Sequence, residues 1–195
     1  ETGFGIPMIM INNYLVRDLS FFRLDLTDKI PQLIFRFTPQ DESFLYTSYP
    51  KDGDLVSLYI RSTSELYKPI RIDLLVTEVL SQFTMLEEKH MGEENRANGN
   101  NASFTIKSQM RIPGIFQHVS KSFKDKTAFE VLRQIAKDLG LGFASNEKNT
   151  DDKMNWLCPS KTLYKFINDV CESSWKGEED FFDWWIDQYY VLNFV

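Results

Sequence analysis

Five acidic residues near the end of the chain are the ones whose type and spacing could do acid–base chemistry. They are Glu178, Glu179, Asp180, Asp183 and Asp187. Two carboxyl groups on either side of a sugar can act as the acid and the nucleophile or base of glycoside hydrolysis. Carboxylates of an acidic chain usually face water, so the alternative interpretation is a turn before a hairpin, with Asp183 and Asp187 on its solvent side. We favour the turn.

The two histidines, His90 and His118, are the other candidates for nucleophilic or acid–base chemistry. A Ser–His or Cys–His pair could use either of them, but no nucleophile elbow or other catalytic signature accompanies them. We therefore expect surface or packing roles for both histidines.

The sequence contains no complete motif for a metal or a cofactor. Cys158 and Cys171 are the only cysteines, and they lack the spacing of a structural zinc site. Asp151 and Asp152 lie in a polar stretch, but the alternating ligands and the closing Glu of an EF-hand are missing. The Gly-Leu-Gly sequence at 140–142 follows a predicted helix instead of a strand, which does not favour phosphate binding. We expect no catalytic residue, no metal site and no cofactor.

The composition is that of a globular protein. Of the 195 residues, 43% are hydrophobic and 26% are charged, and this much apolar surface can offset the entropy lost on folding. The net charge is −6 and the Lys and Arg residues are scattered, so the basic stripe of a nucleic-acid-binding protein is missing. No apolar run reaches the roughly 20 residues that cross a bilayer, so we expect no membrane partner.

The first part of the chain has the pattern of short antiparallel strands. Runs of β-branched and aromatic residues are separated by Asp, Pro and Gly. Predicted strands lie at 9–16, 33–37, 55–60, 70–83 and 104–112. A tight turn is predicted at Asp52-Gly53 and an exposed loop at 87–102.

After Thr127 the period of the apolar residues changes from two to 3.6, which indicates helices. Thr127 and Glu130 have the spacing of a capping box, and Gly140 is placed to end the helix. A second amphipathic helix is predicted to open at Pro159-Ser160, after a polar loop at 145–155.

Two runs at 181–186 and 189–194 predict a hairpin that is rich in aromatic residues. Adjacent aromatic residues on a strand point to opposite faces, so both faces of the hairpin carry apolar area that needs cover. That cover is either an ordinary core with the two helices or a subunit interface, where aromatic residues supply much of the contact energy. The interface candidates are Phe181, Phe182, Trp184, Trp185, Tyr189 and Tyr190.

Together these patterns predict an α+β fold with two domains. An antiparallel β-barrel-like domain covers residues 1–122. A smaller α/β domain with two amphipathic helices and the aromatic hairpin covers residues 123–195. Since the sequence starts at Glu1 and ends in a strand-like run, we expect a fragment of a longer polypeptide.

A series of motifs between Gly114 and Val195 carries a family resemblance. The motifs are Ser122-Phe123-Lys124-Asp125-Lys126-Thr127 before Glu130-Val131-Leu132, Ile135-Ala136 with Leu139-Gly140-Leu141, Asp152 with Met154-Asn155-Trp156, Thr162-Leu163-Tyr164-Lys165-Phe166-Ile167, and the aromatic runs at 181–187 and 189–194. This part of the chain resembles the baseplate hub proteins of contractile-tailed bacteriophages, the family of the late control D proteins. The first 110 residues fit the same family only as a β-rich barrel, with Gly53-Asp54 before a strand.

The resemblance implies a structural part of the virion without enzymatic activity. Hubs of this family form a trimeric ring at the tail baseplate that holds the central spike and meets the tail tube. The implied partners are two further copies of the chain, a spike protein and a tube or tube-initiator protein, with assembly in the host cytoplasm. DNA would cross the bore of the ring without specific binding, and the negative charge suits such a wall.

A second hypothesis belongs to a different class of function. A hydrolase at the tail tip could degrade the cell wall by means of the acidic cluster from Asp180 to Asp187. The oligomeric mass of the protein and its activity on cell walls distinguish the two hypotheses.

Overall fold

A computed structural model describes residues 7–40, 43–63, 65–85, 100–177 and 181–195. The contacts divide the chain into two compact units. The first consists of Glu1–Leu26 with Pro31–Arg111, and the second of Thr27–Ile30 with Ile112–Val195. The boundary that the sequence predicts between residues 122 and 123 lies inside the second unit, and it stays a prediction about separately folding domains.

The first unit is an antiparallel sheet of seven strands that curls as a half-barrel. Its elements are β1 (Met8–Ile11), β2 (Tyr14–Val16), β3 (Leu19–Asp25), β4 (Gln32–Phe37), α1 (Ser43–Thr47), β5 (Leu55–Ile60), β6 (Ile70–Met85) and β7 (Asn100–Met110). The strand order is β2-β1-β5-β6-β7-β4-β3. Most of the described structure is therefore antiparallel β, which is compatible with the predicted α+β class.

Alternation of side chains places the core of the first unit on one face of the sheet. Every second residue of the central strands is buried, as period-two burial requires. The buried side chains include Leu33, Phe35, Phe37, Val56, Leu58, Ile72, Leu74, Phe104 and Ile106. Phe44 of α1 packs against the rings of Phe37 and Phe104, at centroid distances of 5.5 and 5.7 Å. The strands predicted at 33–37 and 55–60 are confirmed.

Two expectations for the first unit were wrong in detail. The run at 9–16 is two paired strands, because Asn12 and Asn13 take positive φ angles of 45° and 69° and reverse the chain. Asn tolerates this conformation better than most residues. The exposed loop predicted at 87–102 loses its last three residues to β7. Residues 87–99 lie outside the described part of the chain.

The second unit combines helices with two small sheets. Its elements are β8 (His118–Lys126), α2 (Ala128–Asp138), β9 (Gly142–Ser145), β10 (Met154–Thr162), α3 (Leu163–Glu172), β11 (Trp184–Ile186) and β12 (Val191–Phe194). β8 and β10 form an antiparallel ribbon, and β11, β12 and β9 form a three-stranded sheet in which β12 and β9 are parallel. None of the helices in the described ranges has the length and apolar character of a membrane span.

Helix α2 begins as its sequence predicts. The Thr127 side chain accepts a hydrogen bond from the backbone N–H of Glu130, and the Glu130 carboxylate accepts one from the N–H of Thr127. These two bonds satisfy amides that the first turn leaves without helical partners. Gly140 follows the helix with φ of 72°, the left-handed conformation that ends many helices.

Helix α3 begins later than expected, at Leu163 with Thr162 as its cap. The residues predicted to open it, Pro159-Ser160, belong to strand β10, which pairs with β8. A two-stranded ribbon has free edges, where a proline costs no ladder hydrogen bond. Ser160 takes a positive φ of 49° at an irregularity of the ribbon.

The aromatic hairpin is confirmed, although its strands are shorter than predicted. Trp184–Ile186 pairs with Val191–Phe194 in antiparallel register. The turn between them is closed by hydrogen bonds between Asp187 and both Val191 and Tyr190. Residues 181–183 precede the first strand of the hairpin.

Candidate assembly surfaces

Asp183, the first candidate of the acidic cluster that the structure describes, is part of a structural contact. Its carboxylate pairs with the ammonium group of Lys29 and accepts a hydrogen bond from the N–H of Trp184. The Lys29 ammonium also lies 5.8 Å from the centroid of the Trp184 ring. The hydrogen bond from Lys29 lowers the pKa of Asp183. A general acid of a glycosidase needs a raised pKa, so this environment opposes that role.

Asp187, the second candidate, stabilises the hairpin turn. One carboxylate oxygen accepts hydrogen bonds from the N–H groups of Tyr189 and Val191, at 2.8 and 3.1 Å. The other oxygen accepts a bond from the Asn193 side chain at 3.3 Å. This carboxylate therefore acts as a hydrogen-bond acceptor within the hairpin turn. Glu178, Glu179 and Asp180 lie outside the described residues.

Asp152 is buried at the start of helix α2 and links three segments. It is 1% exposed and accepts hydrogen bonds from the N–H of Ala128 at 2.7 Å, the hydroxyl of Thr150 at 2.8 Å and the N–H of Trp175 at 3.0 Å. A carboxylate is stabilised by the positive end of the helix dipole. The Asp152 carboxylate therefore accepts hydrogen bonds from groups of the fold. Among the described residues, no group of three or more His, Cys, Asp or Glu residues could hold a metal ion.

The remaining candidates for chemistry are also held by backbone groups. The His118 ring lies 2.9 Å from the carbonyl oxygen of Ser160, and His90 lies outside the described residues. The thiol of Cys171 donates to the carbonyl of Phe182, and burial raises its pKa to about 11. A thiol with this pKa is a poor nucleophile at neutral pH. Cys158 is buried and donates to the carbonyl of Val119.

The structure separates the six aromatic interface candidates into buried and exposed ones. Trp184 is 1% exposed and its indole N–H donates to Asn168, so it belongs to the core of the second unit. Phe182 is half-buried and stacks on Phe194 with the ring centroids 4.6 Å apart. Phe181 is 96% exposed. Of the other three candidates, Tyr189 is 42% exposed, and Trp185 and Tyr190 are half-buried.

Strand β3 forms one edge of the first unit's sheet. Six of its seven residues pair with β4, and within the described residues no strand pairs with its other side. Phe22 and Leu24 lie opposite the buried Phe35 and Leu33 and so face the core. Phe21 is 47% exposed. A long edge strand presents unpaired N–H and C=O groups that can pair with a strand of another chain.

The opposite edge of this sheet is much shorter. It is β2, which has three residues and pairs with β1. A short strand is one of the ways in which proteins protect a sheet edge. The sequence did not identify β3, because an edge is defined by the pairing order of strands that are far apart in the chain. A weak signal for the strand was the alternation of Phe22, Arg23 and Leu24.

Comparison with known proteins finds structures of similar fold but does not assign the chain to a family. No protein-family model matches the chain, and no curated protein matches it. Among solved structures, the chain is similar to the 43 kDa tail protein of prophage MuSo2 from Shewanella oneidensis, with 8% identity and a TM-score of 0.61 over 96% of this chain and 53% of that one. A tail protein from Neisseria meningitidis MC58 has 8% identity and a TM-score of 0.56, over 98% of this chain and 51% of that one.

A third similar structure comes from a secretion system. It is the E. coli c3393 protein, a component of the type VI secretion system with structural similarity to the T4 bacteriophage tail proteins gp27 and gp5. Its identity is 9% and its TM-score 0.54, over 95% of this chain and 48% of that one. The chain spans about half the length of these three proteins. It shares the fold of phage tail proteins.

Proposed function

We propose that this chain is a structural subunit of a phage tail baseplate hub. In this role it joins copies of itself into a trimeric ring that connects the central spike to the tail tube, and DNA passes through the bore without specific binding. The chain resides in the tail baseplate of the virion and is assembled in the host cytoplasm. It acts by shape and by contact, without catalysis.

The observation that carries this proposal is the open edge of the first unit's sheet. β3 offers seven residues of strand on its outer side, with Phe21 exposed among them. Strand pairing across such an edge joins chains through main-chain hydrogen bonds and gives a fixed register. The contact between copies is heterologous, because β3 of one copy meets a different surface of the next. Heterologous contacts produce rings when the rotation between copies closes.

The fold likeness supports a role in the tail. Two of the three similar structures are tail proteins, and the third is a secretion-system component with likeness to tail proteins of phage T4. The state of the acidic cluster also supports a structural role. The Asp183 carboxylate pairs with Lys29, and the Asp187 carboxylate accepts hydrogen bonds from Tyr189 and Asn193 in the hairpin.

The exposed aromatic residues of the second unit are a second contact surface in this proposal. Phe181 precedes the hairpin strand β11 in the chain and Tyr189 follows it, and both side chains are exposed; Trp185 lies on that strand. Aromatic side chains bury much area at little entropic cost, which is why they anchor interfaces. Trp184 contributes from within the core by holding the hairpin in place.

Native mass spectrometry of three variants tests the proposal. The wild-type chain is expected to be a trimer at micromolar concentration. Phe21→Lys adds a charge to the edge strand and is expected to give monomers that keep the circular dichroism spectrum of the wild type, since the side chain is half exposed. Leu55→Lys is the control, because Leu55 is 40% exposed on the interior strand β5. A wild-type monomer, or a trimer that Phe21→Lys leaves intact, would contradict the proposal.

A further inference from the structure

The connection between β3 and β4 is bound by the second unit. Residues 26–31 join the paired positions Asp25 and Gln32, and both strands belong to the first unit. Thr27–Ile30, which we call the strap, belongs to the second unit. A connection of two residues is enough to reverse the chain between antiparallel strands, so the reversal alone does not require this length.

The strap contacts the aromatic hairpin through its backbone and through a side chain. The carbonyl of Lys29 accepts a hydrogen bond from the N–H of Ile186 at 2.8 Å, at the edge of the three-stranded sheet. The Lys29 ammonium pairs with the Asp183 carboxylate and lies 5.8 Å from the centroid of the Trp184 ring. Ile30 is 1% exposed. The strap is therefore held by a backbone hydrogen bond, an ion pair and the burial of an apolar side chain.

The hairpin that binds the strap is packed on helix α3. Trp184 is buried, its indole N–H donates to Asn168 at 2.7 Å, and its ring centroid lies 5.6 Å from that of Tyr164. The Cys171 thiol of the same helix donates to the carbonyl of Phe182, just before the hairpin. The strap is therefore attached to an element that helix α3 holds in place.

Strand β3 needs such a support more than the interior strands do. It pairs with β4 on one side, and within the described residues no strand pairs with its other side. Segments with few contacts open locally at a small cost in free energy. β3 ends at Asp25, two residues before the strap. After the strap, the carbonyl of Pro31 accepts a hydrogen bond from the N–H of Met110 at 2.9 Å, next to the start of β4. A hold on the strap therefore limits the opening of this end of β3.

We propose that the strap is a positioning device for the edge strand: the hairpin holds Lys29 and Ile30, and this hold keeps the Arg23–Asp25 end of β3 paired with β4. The purpose of the device rests on the proposed function, in which β3 joins copies of the chain. An edge that is ordered before a partner arrives costs less entropy to bind. The restraint itself is a property of a single chain, so it can be measured without assembly.

Hydrogen–deuterium exchange of the monomer tests this device, at a dilution where native mass spectrometry finds single chains. Lys29→Met removes the ammonium group and keeps an apolar side chain of similar length. The amides of β3 that pair with β4 are expected to exchange about two- to fivefold faster in this variant, because the lost ion pair is partly exposed and its contribution is modest. The amides of the interior strands β6 and β7 are expected to exchange at the wild-type rate.

Three further variants control this experiment. Asp183→Asn removes the other partner of the ion pair and is expected to have the same effect. Lys29→Arg keeps a cation for both the Asp183 carboxylate and the Trp184 ring, so its β3 amides are expected to exchange as in the wild type. Lys121→Met is the matched control, because Lys121 forms another ion pair of the second unit, with Asp138 at 2.9 Å. This variant is expected to leave exchange in β3 unchanged.

Two results would overturn the inference. Exchange of the β3 amides at the wild-type rate in both Lys29→Met and Asp183→Asn would show that the strap does not restrain the strand. Equal acceleration by Lys121→Met would assign the effect to a general loss of stability. The proposed function fails on a different result, a wild-type chain that stays monomeric at micromolar concentration, and that result leaves the exchange comparison intact.

Discussion

The two units of the molecule differ in the kind of group that each presents at its surface. In the first unit, β3 is the last strand of a seven-stranded sheet, and among the described residues no strand pairs with the backbone on its outer side. In the second unit the buried Asp152 accepts hydrogen bonds from several segments, and the exposed groups include aromatic rings such as those of Phe181 and Tyr189.

This difference separates two ways of making contact with other molecules. A sheet edge accepts any strand of suitable length, and its hydrogen bonds fix orientation and register. An exposed aromatic ring contributes apolar contact area and does not fix a strand register. In the proposed function, the edge strand of the first unit joins copies of the chain, and the exposed rings of the second unit form a second contact surface.

Removing a buried aromatic ring from the core of the first unit is expected to give the largest loss of stability. Phe37 is 0% exposed and packs with Phe44 and Phe104. Phe37→Ala is expected to destabilise the protein by about 3–5 kcal/mol, the cost of truncating a buried aromatic ring. Urea unfolding followed by circular dichroism measures it. The exposed Leu55→Ala is the control, and a loss below about 1 kcal/mol for Phe37→Ala would contradict an apolar core at this position.

Removing the central carboxylate of the second unit tests its polar network. Asp152→Asn replaces one acceptor oxygen by a donor and leaves a buried amide without its partner, so we expect a loss of about 2–4 kcal/mol. Chemical unfolding followed by tryptophan fluorescence measures this change. Asp125→Asn is the matched control, because Asp125 is an exposed carboxylate in an ion pair with Lys153. Equal effects of the two variants would remove Asp152 from the centre of the network.

A smaller effect is expected from the helix cap. The Thr127 hydroxyl accepts from the Glu130 amide at 3.3 Å and donates to the Asn149 side chain at 2.6 Å. Thr127→Ala is expected to cost about 1–2 kcal/mol, and Thr127→Ser to cost less because it keeps both bonds. Thermal unfolding of the two variants measures the difference. Equal melting temperatures would show that the cap contributes nothing.

The smallest effect is a dependence on pH. The Lys29 ammonium lowers the pKa of Asp183 below its ordinary value of 3.8, so the ionised form stabilises the fold above that pH. This contribution is lost as the pH falls through the lowered pKa. Asp183→Asn is expected to cost roughly 0.2–1 kcal/mol near neutral pH, because the carboxylate is 67% exposed and screened. Below its lowered pKa the variant and the wild type are expected to be equally stable. An equal deficit of the variant at both pH values, from urea midpoints, would argue against the ion pair.

Local patterns of sequence predicted the local structure well. The strand at 55–60 followed from strict alternation, and α2 followed from the capping box of Thr127 and Glu130. The start of α3 was predicted wrongly. Proline is common in the first turn of a helix, so the sequence placed the helix start at Pro159, whereas Pro159 lies in strand β10, which pairs with β8. That pairing joins residues about 40 positions apart, which no local pattern contains.

The candidate sites depend on such long-range pairings even more. The sequence offered Asp152 as an incomplete calcium ligand and as part of a family motif, and neither reading predicted that it accepts hydrogen bonds from Ala128 and Trp175. The edge position of β3 follows from the order of seven strands. The aromatic hairpin was predictable, but which of its rings are exposed was not, since Phe181 and Trp184 are equally apolar in sequence.

Hydrogen–deuterium exchange of the β3 amides is the most direct test of the central claim that the edge strand joins copies of the chain. The account predicts fast exchange along the outer side of Leu19–Asp25 in dilute monomer and protection of the same amides in the assembled oligomer. Amides of the central strands β6 and β7 should be protected in both states. Outer β3 amides that exchange equally fast in monomer and oligomer would contradict the account.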